Sequence, residues 1–112
     1  MKVKSGKDNL EVIYKGIKLI NHSSLSPFAY LGKGQEDIDM NLGNFHIEDS
    51  VTERIPLKNF RLEEEEGKYK IEFYYKEDEE GLSVNIYEED GRLRIRTSAP
   101  DYYNRCWLRI QA

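Results

Sequence analysis

Apolar and polar residues alternate through the second half of the chain, and short turn-forming stretches interrupt the alternation. Four segments carry the pattern, at residues 57–65, 68–76, 81–89 and 92–99. They are separated by Glu66-Gly67, by the acidic run from Glu77 to Glu80, and by Asp90-Gly91. Such alternation is typical of a half-buried strand, and an Asp-Gly pair between two strands favours a two-residue hairpin. Residues 57–99 therefore predict a four-stranded antiparallel meander.

Counting outward from each turn predicts which residues lie opposite one another on neighbouring strands. The pairs on one side of the sheet are apolar, with one threonine: Phe60–Phe73, Leu62–Ile71, Phe73–Val84, Ile71–Ile86, Tyr75–Leu82, Ile86–Ile95 and Val84–Thr97. The pairs on the other side join opposite charges: Glu65–Lys68, Glu63–Lys70, Arg61–Glu72 and Glu89–Arg92. A slip of one residue would turn the apolar side towards water. The predicted core of the meander is therefore Phe60, Ile71, Phe73, Val84, Ile86 and Ile95.

The first half of the chain is expected to supply the cover that this apolar face needs. Apolar positions at Leu10, Val12 and Tyr14 are followed by a tight turn at Lys15-Gly16 and by Ile17, Leu19 and Ile20. Further short strands are predicted at Phe28 to Leu31, Ile38 to Leu42, Phe45 to Ile47 and Arg105 to Ile110, with Gly32, Gly34 and Gly43 between them. No apolar stripe of helical period is long enough for a substantial helix. Residues 1–112 thus predict one all-β, antiparallel β-sandwich domain.

Composition and charge narrow the class of protein. The net charge of −4 does not favour nucleic-acid binding. The single cysteine, Cys106, excludes an internal disulfide and suits a reducing compartment. The amino terminus lacks the apolar stretch of a secretory signal, and no apolar run approaches the roughly 20 residues of a membrane span. We therefore expect a soluble cytoplasmic chain without a nucleic-acid or membrane partner.

Several residues could carry chemistry, but each fits a simpler interpretation better. Asp37 and Asp39 could act as a glycosidase carboxylate pair, yet they also suit a polar turn entering a strand. A zinc site would have to gather His22, His46 and Cys106 from distant segments and would still need a fourth ligand. Cys106 beside Trp107 is more typical of a small buried apolar residue than of a nucleophile. No catalytic, metal or cofactor-binding residue is predicted.

Four further groups are candidates for binding rather than catalysis. Gly32-Lys33-Gly34 lacks the spacing and the following helix of a phosphate loop. Arg92, Arg94 and Arg96 form a row on the predicted outer face, where a solvated mixed-charge surface is favoured over an anion-binding stripe. Glu63 to Glu66 form a similar solvated cluster. Tyr102 and Tyr103 could either stack against a sugar or pack beneath the loop between the last strands.

Two stretches are more specific. Residues 36–50 read EDIDMNLGNFHIEDS, and residues 104–112 read NRCWLRIQA. The IDM, GNF and NR-WLR segments occur in the order found in the amino-terminal domain of glycoside hydrolase family 31, the α-glucosidase clan. The chain resembles that domain over nearly its whole length, most closely in the sulfoquinovosidase branch.

The resemblance implies a galactose-mutarotase-like β-sandwich that packs on a (β/α)₈ barrel. It also implies that the parent enzyme is a retaining α-glycosidase, whose aspartate nucleophile and aspartate acid/base lie on that barrel. Neither aspartate has a matching position here, and the family's GxGE segment is expected after Ala112. The chain is therefore expected to be a non-catalytic amino-terminal fragment of a larger enzyme of α-glucosidase or sulfoquinovosidase type.

The partners that follow from this hypothesis are the catalytic barrel and, indirectly, carbohydrate. An open sheet edge near Arg105 to Ile110, with Trp107 or Leu108 close by, also predicts a possible homodimer. The alternative function is an autonomous carbohydrate- or protein-binding β-sandwich. An enzyme in its own right is the third and least supported hypothesis, because the catalytic residues are missing.

Overall fold

The structure is a computed structural model that describes the backbone of residues 1–41, 44–77 and 79–109, and the side chains in these ranges apart from 36–41 and 44–49. Ten strands and no helix occur in the described residues. The strands are β1 (Lys2–Ser5), β2 (Asn9–Tyr14), β3 (Ile17–Ser23), β4 (Ala29–Asn41), β5 (Asn44–Pro56), β6 (Asn59–Glu65), β7 (Lys68–Tyr74), β8 (Leu82–Glu89), β9 (Arg92–Ser98) and β10 (Arg105–Leu108). They form three antiparallel sheets, ordered β1-β2-β3, β10-β4-β5 and β6-β7-β8-β9. The all-β prediction and the meander are confirmed.

Three hairpins turn on a pair of residues with positive φ. Lys15, Glu66 and Asp90 have φ values of 50°, 51° and 52°, and each is followed by a glycine with φ between 72° and 80°. Two consecutive left-handed residues are the signature of a type I′ turn, whose twist matches that of the flanking strands. The predicted turns at Lys15-Gly16, Glu66-Gly67 and Asp90-Gly91 are therefore confirmed.

The register across the meander agrees with the prediction at two of its three connections. Phe60 pairs with Phe73 and Glu63 with Lys70 between β6 and β7, and Ile86 pairs with Ile95 between β8 and β9. At the acidic connection, the predicted pairing of Phe73 with Val84, of Ile71 with Ile86 and of Tyr75 with Leu82 is wrong. The observed pairs are Phe73–Leu82, Ile71–Val84 and Tyr69–Ile86, a shift of two residues.

The shift arises because the connection between β7 and β8 is longer than the acidic run from Glu77 to Glu80. Strand β7 ends at Tyr74, Tyr75 is exposed, and β8 begins only at Leu82. Gly81 lies so close to the carbonyl of Phe73 that a Cβ there would be 1.7 Å from that oxygen. A two-residue shift preserves the face on which each side chain lies. The predicted apolar face therefore survives the error in pairing.

The core lies between the meander and the sheet β1-β2-β3. All three sheets contribute to its buried apolar residues, which are Leu10, Val12, Ile20, Phe28, Ala29, Leu31, Leu57, Ile71, Phe73, Leu82, Val84 and Ile86. Phe60 is only partly buried, and the prediction that Ile95 lies in the core is wrong, since 42% of it is exposed. Both belong to the outermost strands of the meander, β6 and β9, which have a paired strand on one side only in the described residues.

Strand β1 was not predicted from the sequence. It pairs with β2, and Met1 and Val3 pack against the core. The terminal ammonium of Met1 lies 3.0 Å from the Glu88 carboxylate, and the Tyr14 hydroxyl donates to the Gly91 carbonyl at 3.3 Å. Strand β1 has four residues, and Val3 is the apolar one among them, so its alternation is too short to predict a strand. Its position depends on these contacts with distant residues.

Strands β4 and β5 form one long hairpin whose paired residues extend from Tyr30–Pro56 to Asn41–Asn44. The prediction that Gly32 and Gly34 separate short strands is wrong, because both lie within β4, beside a bulge at Lys33/Gly34. Leu42 and Gly43 lie outside the described residues. Strand β10 accompanies β4 only from Ala29 to Gly32. We call the rest of the hairpin, residues 33–53, the arm; in the described structure its strands pair only with each other.

Candidate interaction surface

The NRCW segment, residues 104–107, lies along the base of the arm. Arg105, Cys106 and Trp107 pair with Gly32, Leu31 and Tyr30 as part of β10. The predicted strand is confirmed over Arg105–Leu108, whereas Ile110 lies outside the described residues. The paired residues are far apart in the sequence, so β10 connects the last described part of the chain with its first third.

Asn104 extends this pairing by one residue through its side chain. Its Nδ2 donates to the Gly34 carbonyl at 3.0 Å, its Oδ1 accepts from the Gly34 N–H at 2.8 Å, and its own backbone N–H donates to Gly32. The amide therefore satisfies both backbone groups of Gly34, as a neighbouring strand would. Asparagine is one of two side chains that carry this donor and acceptor together.

Glycines in β4 make the close approach possible. A Cβ on Gly32 would lie 2.8 Å from the Trp107 ring and 2.1 Å from the Glu53 carbonyl oxygen. A Cβ on Gly34 would lie 2.8 Å from Nε of Arg105. The segment Gly32-Lys33-Gly34 therefore has a packing role, because only hydrogen at both positions leaves room for the side chains of the NRCW segment.

Above Gly32, three planar groups form a stack on the outer side of the sheet β10-β4-β5. The guanidinium carbon of Arg54 lies 4.3 Å from the ring centre of Tyr30 and 5.1 Å from that of Trp107. Arg54 is exposed and the two rings are partly exposed. We call Tyr30, Arg54, Arg105 and Trp107 the tryptophan face. It presents aromatic area and positive charge in a fixed geometry, and the sequence analysis did not identify it.

His22 is a buried structural residue. Its Nδ1 accepts a hydrogen bond from the Phe28 N–H at 3.1 Å, its Nε2 lies 3.1 Å from the Lys58 carbonyl, and its ring packs on Phe60 and Phe73. Burial lowers the pKa of His22, and the positive charge of Arg109 lowers it further, against the opposing hydrogen bond to Lys58. Both ring nitrogens are already engaged, so His22 is poorly placed to bind a metal.

Arg109 fastens the end of the described chain to the loop before β4. Its Nη2 donates to the carbonyls of Asn21 and Ser26, and its backbone N–H donates to the Phe28 carbonyl at 2.8 Å. Arg109 therefore joins β10, the end of β3 and the start of β4 at one point beside His22.

Cys106 is exposed, so the prediction that it is buried is wrong. Its side chain alternates with that of Trp107 along β10, and β10 is the edge strand of its sheet, which leaves one face of the cysteine in contact with water. Partial desolvation raises the pKa of the thiol, which disfavours the thiolate that a nucleophile requires.

The side chains of Asp37, Asp39 and His46 lie outside the described residues, so the structure describes neither the acidic pair nor the zinc site considered from the sequence. Within the described residues no three His, Cys, Asp or Glu side chains come close enough together to hold a metal ion. Asp37 pairs with Glu48 and Asp39 with His46 along the backbone of the arm. The side chains of these four residues lie outside the described part, so the catalytic hypothesis for Asp37 and Asp39 stays untested.

The outer face of the meander carries the predicted arginine row and an open groove. Arg94 pairs with Tyr87 and Arg96 with Asn85, and the charged side chains of β9 are exposed. The groove measures about 860 Å³ and is lined by Glu63, Glu64, Glu65, Glu66, Lys68, Tyr69, Lys70, Asn85, Tyr87 and Arg96. Of the three arginines only Arg96 lines it.

Tyr102 and Tyr103 have different environments. Tyr103 packs against the core, and burial raises the pKa of its hydroxyl, whereas 55% of Tyr102 is exposed. Their ring centres are 4.5 Å apart and the rings are tilted by 50°. The packing interpretation therefore holds for Tyr103, and only Tyr102 offers a ring to solvent.

Comparison with known proteins gives consistent matches in sequence and in fold. The chain is 31% identical to a sulfoquinovosidase of Escherichia coli over 107 residues, and 28% identical to one of Agrobacterium fabrum over 123 aligned positions. These alignments cover 94% and 100% of this chain, respectively, and 16% of each relative. The chain thus spans about a sixth of the length of the curated relatives it matches. No family model matches the chain.

A solved structure supports the same relationship. A family 31 sulfoquinovosidase from E. rectale, determined in complex with an aza-sugar inhibitor, superposes with a TM-score of 0.77 at 31% sequence identity. The superposition covers all of this chain and 16% of that enzyme. In the described part of the present chain, no helix has the length and apolar character that a bilayer crossing demands. In sequence and in fold, the chain therefore matches one small part of a glycoside hydrolase of family 31.

Proposed function

We propose that this chain is the non-catalytic amino-terminal domain of a family 31 α-glycosidase and that it packs against the enzyme's catalytic barrel. The observation that carries the proposal is the match of the whole chain, at a TM-score of 0.77, to about a sixth of a sulfoquinovosidase. Both curated relatives carry the same name. We therefore favour a sulfoquinovoside over an α-glucoside as the substrate of the complete enzyme.

The tryptophan face is the proposed docking surface. Tryptophan, tyrosine and arginine are the residue types that contribute most to binding energy in protein interfaces. Here the stack of Arg54 on Tyr30 and Trp107 holds all three groups in place. Less side-chain freedom is therefore lost when a partner binds.

Expressing the enzyme as two separate polypeptides tests this role. The present chain and the remainder of the same enzyme should associate when mixed, and calorimetry should measure their affinity. Arg54→Ala removes the exposed cation and the stack, so we expect at least a tenfold weaker complex, about 1.4 kcal/mol. Arg94→Ala, an exposed arginine on the outer face of the meander, is the matched control and should leave the affinity unchanged.

Two results would contradict the proposal. One is that the two polypeptides fail to associate although both are folded; the other is equal weakening by Arg54→Ala and Arg94→Ala. A role outside catalysis further requires that the present chain alone shows no turnover of an aryl α-sulfoquinovoside or aryl α-glucoside. Turnover that disappears in the Asp37→Asn, Asp39→Asn double variant would instead identify the chain as an enzyme.

Self-association remains a separate prediction. Among the described residues, strand β10 pairs with β4 alone, and we propose that a second copy of the chain pairs with its other edge. Sedimentation equilibrium on the chain alone, and again in the presence of the remainder of the enzyme, distinguishes a dimer from the proposed complex. A monomer mass for the chain alone excludes the dimer, whereas a one-to-one complex with the remainder supports the docking proposal.

A further inference from the structure

We propose that the groove on the outer face of the meander binds a neutral oligosaccharide. Most residues that line the groove lie on the opposite side of this sheet from the core, on strands β6, β7, β8 and β9, and Glu64 and Tyr69 close it at the tip of the β6–β7 hairpin. Its volume of about 860 Å³ falls within the range of small-molecule sites, roughly 300–1,000 Å³. This site belongs to a different sheet from the tryptophan face, so it does not depend on the proposed docking.

A single row of polar side chains crosses all four strands in the groove. Glu63 pairs with Lys70, Lys70 with Asn85, and Asn85 with Arg96. Neighbouring strands are about 4.8 Å apart, so the row extends over about 14 Å. That length suits a short chain of sugars better than one ring.

The row offers hydrogen-bond partners of both kinds. Glutamate accepts, lysine and arginine donate, and the asparagine amide does both. A sugar hydroxyl is at once a donor and an acceptor, and successive hydroxyls along an oligosaccharide need partners of both kinds at close spacing. Because the side chains project from paired strands, their spacing is set by the sheet and not by a mobile loop.

Tyr87 provides an aromatic surface next to this row. It follows Asn85 on the same face of β8, is half-buried, and lines the groove. The ammonium of the exposed Lys68 lies 5.4 Å from its ring centre. An aromatic ring suits the apolar face of a sugar, and Lys68 is free to swing aside because its side chain is long and solvated.

The charges of the groove select against other ligand classes. Glu63 and Glu65 on the outer face and Glu66 at the turn balance the three cations Lys68, Lys70 and Arg96, whereas Glu64 lies on the same side of β6 as Leu62. The glutamates oppose phosphate and other anions, while the interleaved lysines and arginine oppose a metal ion. The central strands are paired on both sides, so they offer no free backbone edge to a peptide strand. A neutral, hydroxyl-rich ligand satisfies all three conditions.

Backbone amide NMR of the protein with neutral trisaccharides tests this assignment. Maltotriose, isomaltotriose and cellotriose, each titrated to about 10 mM, probe three linkages in the weak range expected of an open site. We expect saturable shifts in residues 63–70, 83–87 and 94–98 with at least one sugar. The Asn85→Ala, Arg96→Ala double variant should bind at least tenfold more weakly, and the Arg94→Ala control should remain within twofold of the wild type.

The same spectra show whether each variant is folded, since a dispersed spectrum is required before an affinity is compared. If the double variant is unfolded, Lys70→Ala takes its place and should weaken binding at least threefold. The proposal is overturned if no trisaccharide produces localised shifts, if the shifts lie outside the groove, or if the groove variants bind as the wild type does. Tighter binding of trigalacturonate than of the neutral sugars would assign the groove to anions and would also overturn it.

Discussion

The sandwich and the arm are both made of antiparallel strands, yet they are held together differently. In the sandwich, five alternating side chains of β7 and β8 are buried in the shared core, and Phe73 is 0% exposed. In the arm, the two strands pair only with each other in the described structure, and Val51 is 51% exposed. A two-stranded hairpin with little buried apolar area is marginally stable in water. Backbone pairing is thus common to both regions, whereas the described side chains near the base of the arm, such as Val51, are more exposed than those of β7 and β8.

The arm is accordingly stabilised from its base. Asn104, Arg105 and Trp107 pack against its first residues, where two glycines admit them. The sandwich is therefore stabilised by its own core, whereas the described tertiary contacts of the arm lie at its base. Three measurements test this difference.

The largest effect is expected in the core. Phe73→Ala should destabilise the protein by about 3–5 kcal/mol, because a fully buried ring is lost and a cavity remains. Val51→Ala in the arm should cost less than about 0.5 kcal/mol, since half of that side chain is already in water. Urea unfolding followed by far-ultraviolet circular dichroism measures both. Similar losses from the two variants would show that the arm is as tightly packed as the sandwich.

An intermediate effect is expected at the junction between the two regions. Gly32→Ala places a methyl group against the Glu53 carbonyl and the Trp107 ring, and we expect a loss of about 1–3 kcal/mol from overpacking. The chain contains a single tryptophan, so its fluorescence reports directly on the tryptophan face. Lys33→Ala, at the adjacent exposed position, is the control and should change neither stability nor emission appreciably. An unchanged spectrum in Gly32→Ala would show that Trp107 does not depend on the glycine.

The smallest effect concerns a buried polar group that belongs to the sandwich alone. Burial lowers the pKa of His22 in the folded protein below its unfolded value of about 6.5. Above that pH the residue is neutral in both states. As the pH falls below it, the unfolded state binds the proton first, so stability should decrease by up to about 1.4 kcal/mol per pH unit until the folded pKa is reached.

Urea midpoints between about pH 7.5 and pH 5.5 test this dependence, over a range above the usual titration of Asp and Glu. The His22→Gln variant is the control: it removes the titrating group, so its stability should vary less with pH than that of the wild type. A pH dependence equal to that of the wild type would assign the effect to another group.

The meander was predictable from the sequence because most of its pairings join residues that are close together in the chain. Alternation in each strand and the Glu66-Gly67 and Asp90-Gly91 turns determine two of its three pairings without knowledge of the rest of the fold. The pairing across the acidic connection was not predicted because the sequence does not show how many residues a long loop contains. The close approach of Gly81 to the Phe73 carbonyl is visible only in the structure. The prediction for Ile95 was wrong because alternation shows on which face of a strand a side chain lies, but not whether another part of the protein covers that face.

The tryptophan face could not be derived in the same way. Asn104 and Gly34 are 70 positions apart, and no periodicity connects them. The resemblance to family 31 did single out the NR-WLR segment, but it assigned no physical role to it. Only the structure shows that the two glycines, which were expected to interrupt strands, are the surface against which this segment packs.

The hydrogen bonds of Asn104 also have a consequence for the order in which the protein folds. Each type I′ hairpin brings together residues only a few positions apart, whereas the Asn104–Gly34 contact must close a loop of 70 positions, which carries a larger entropic cost. Strand β10 should therefore join after the meander has formed and should be among the first segments to open. Amide hydrogens of residues 105–108 are accordingly expected to exchange with solvent deuterium faster than those of residues 82–86.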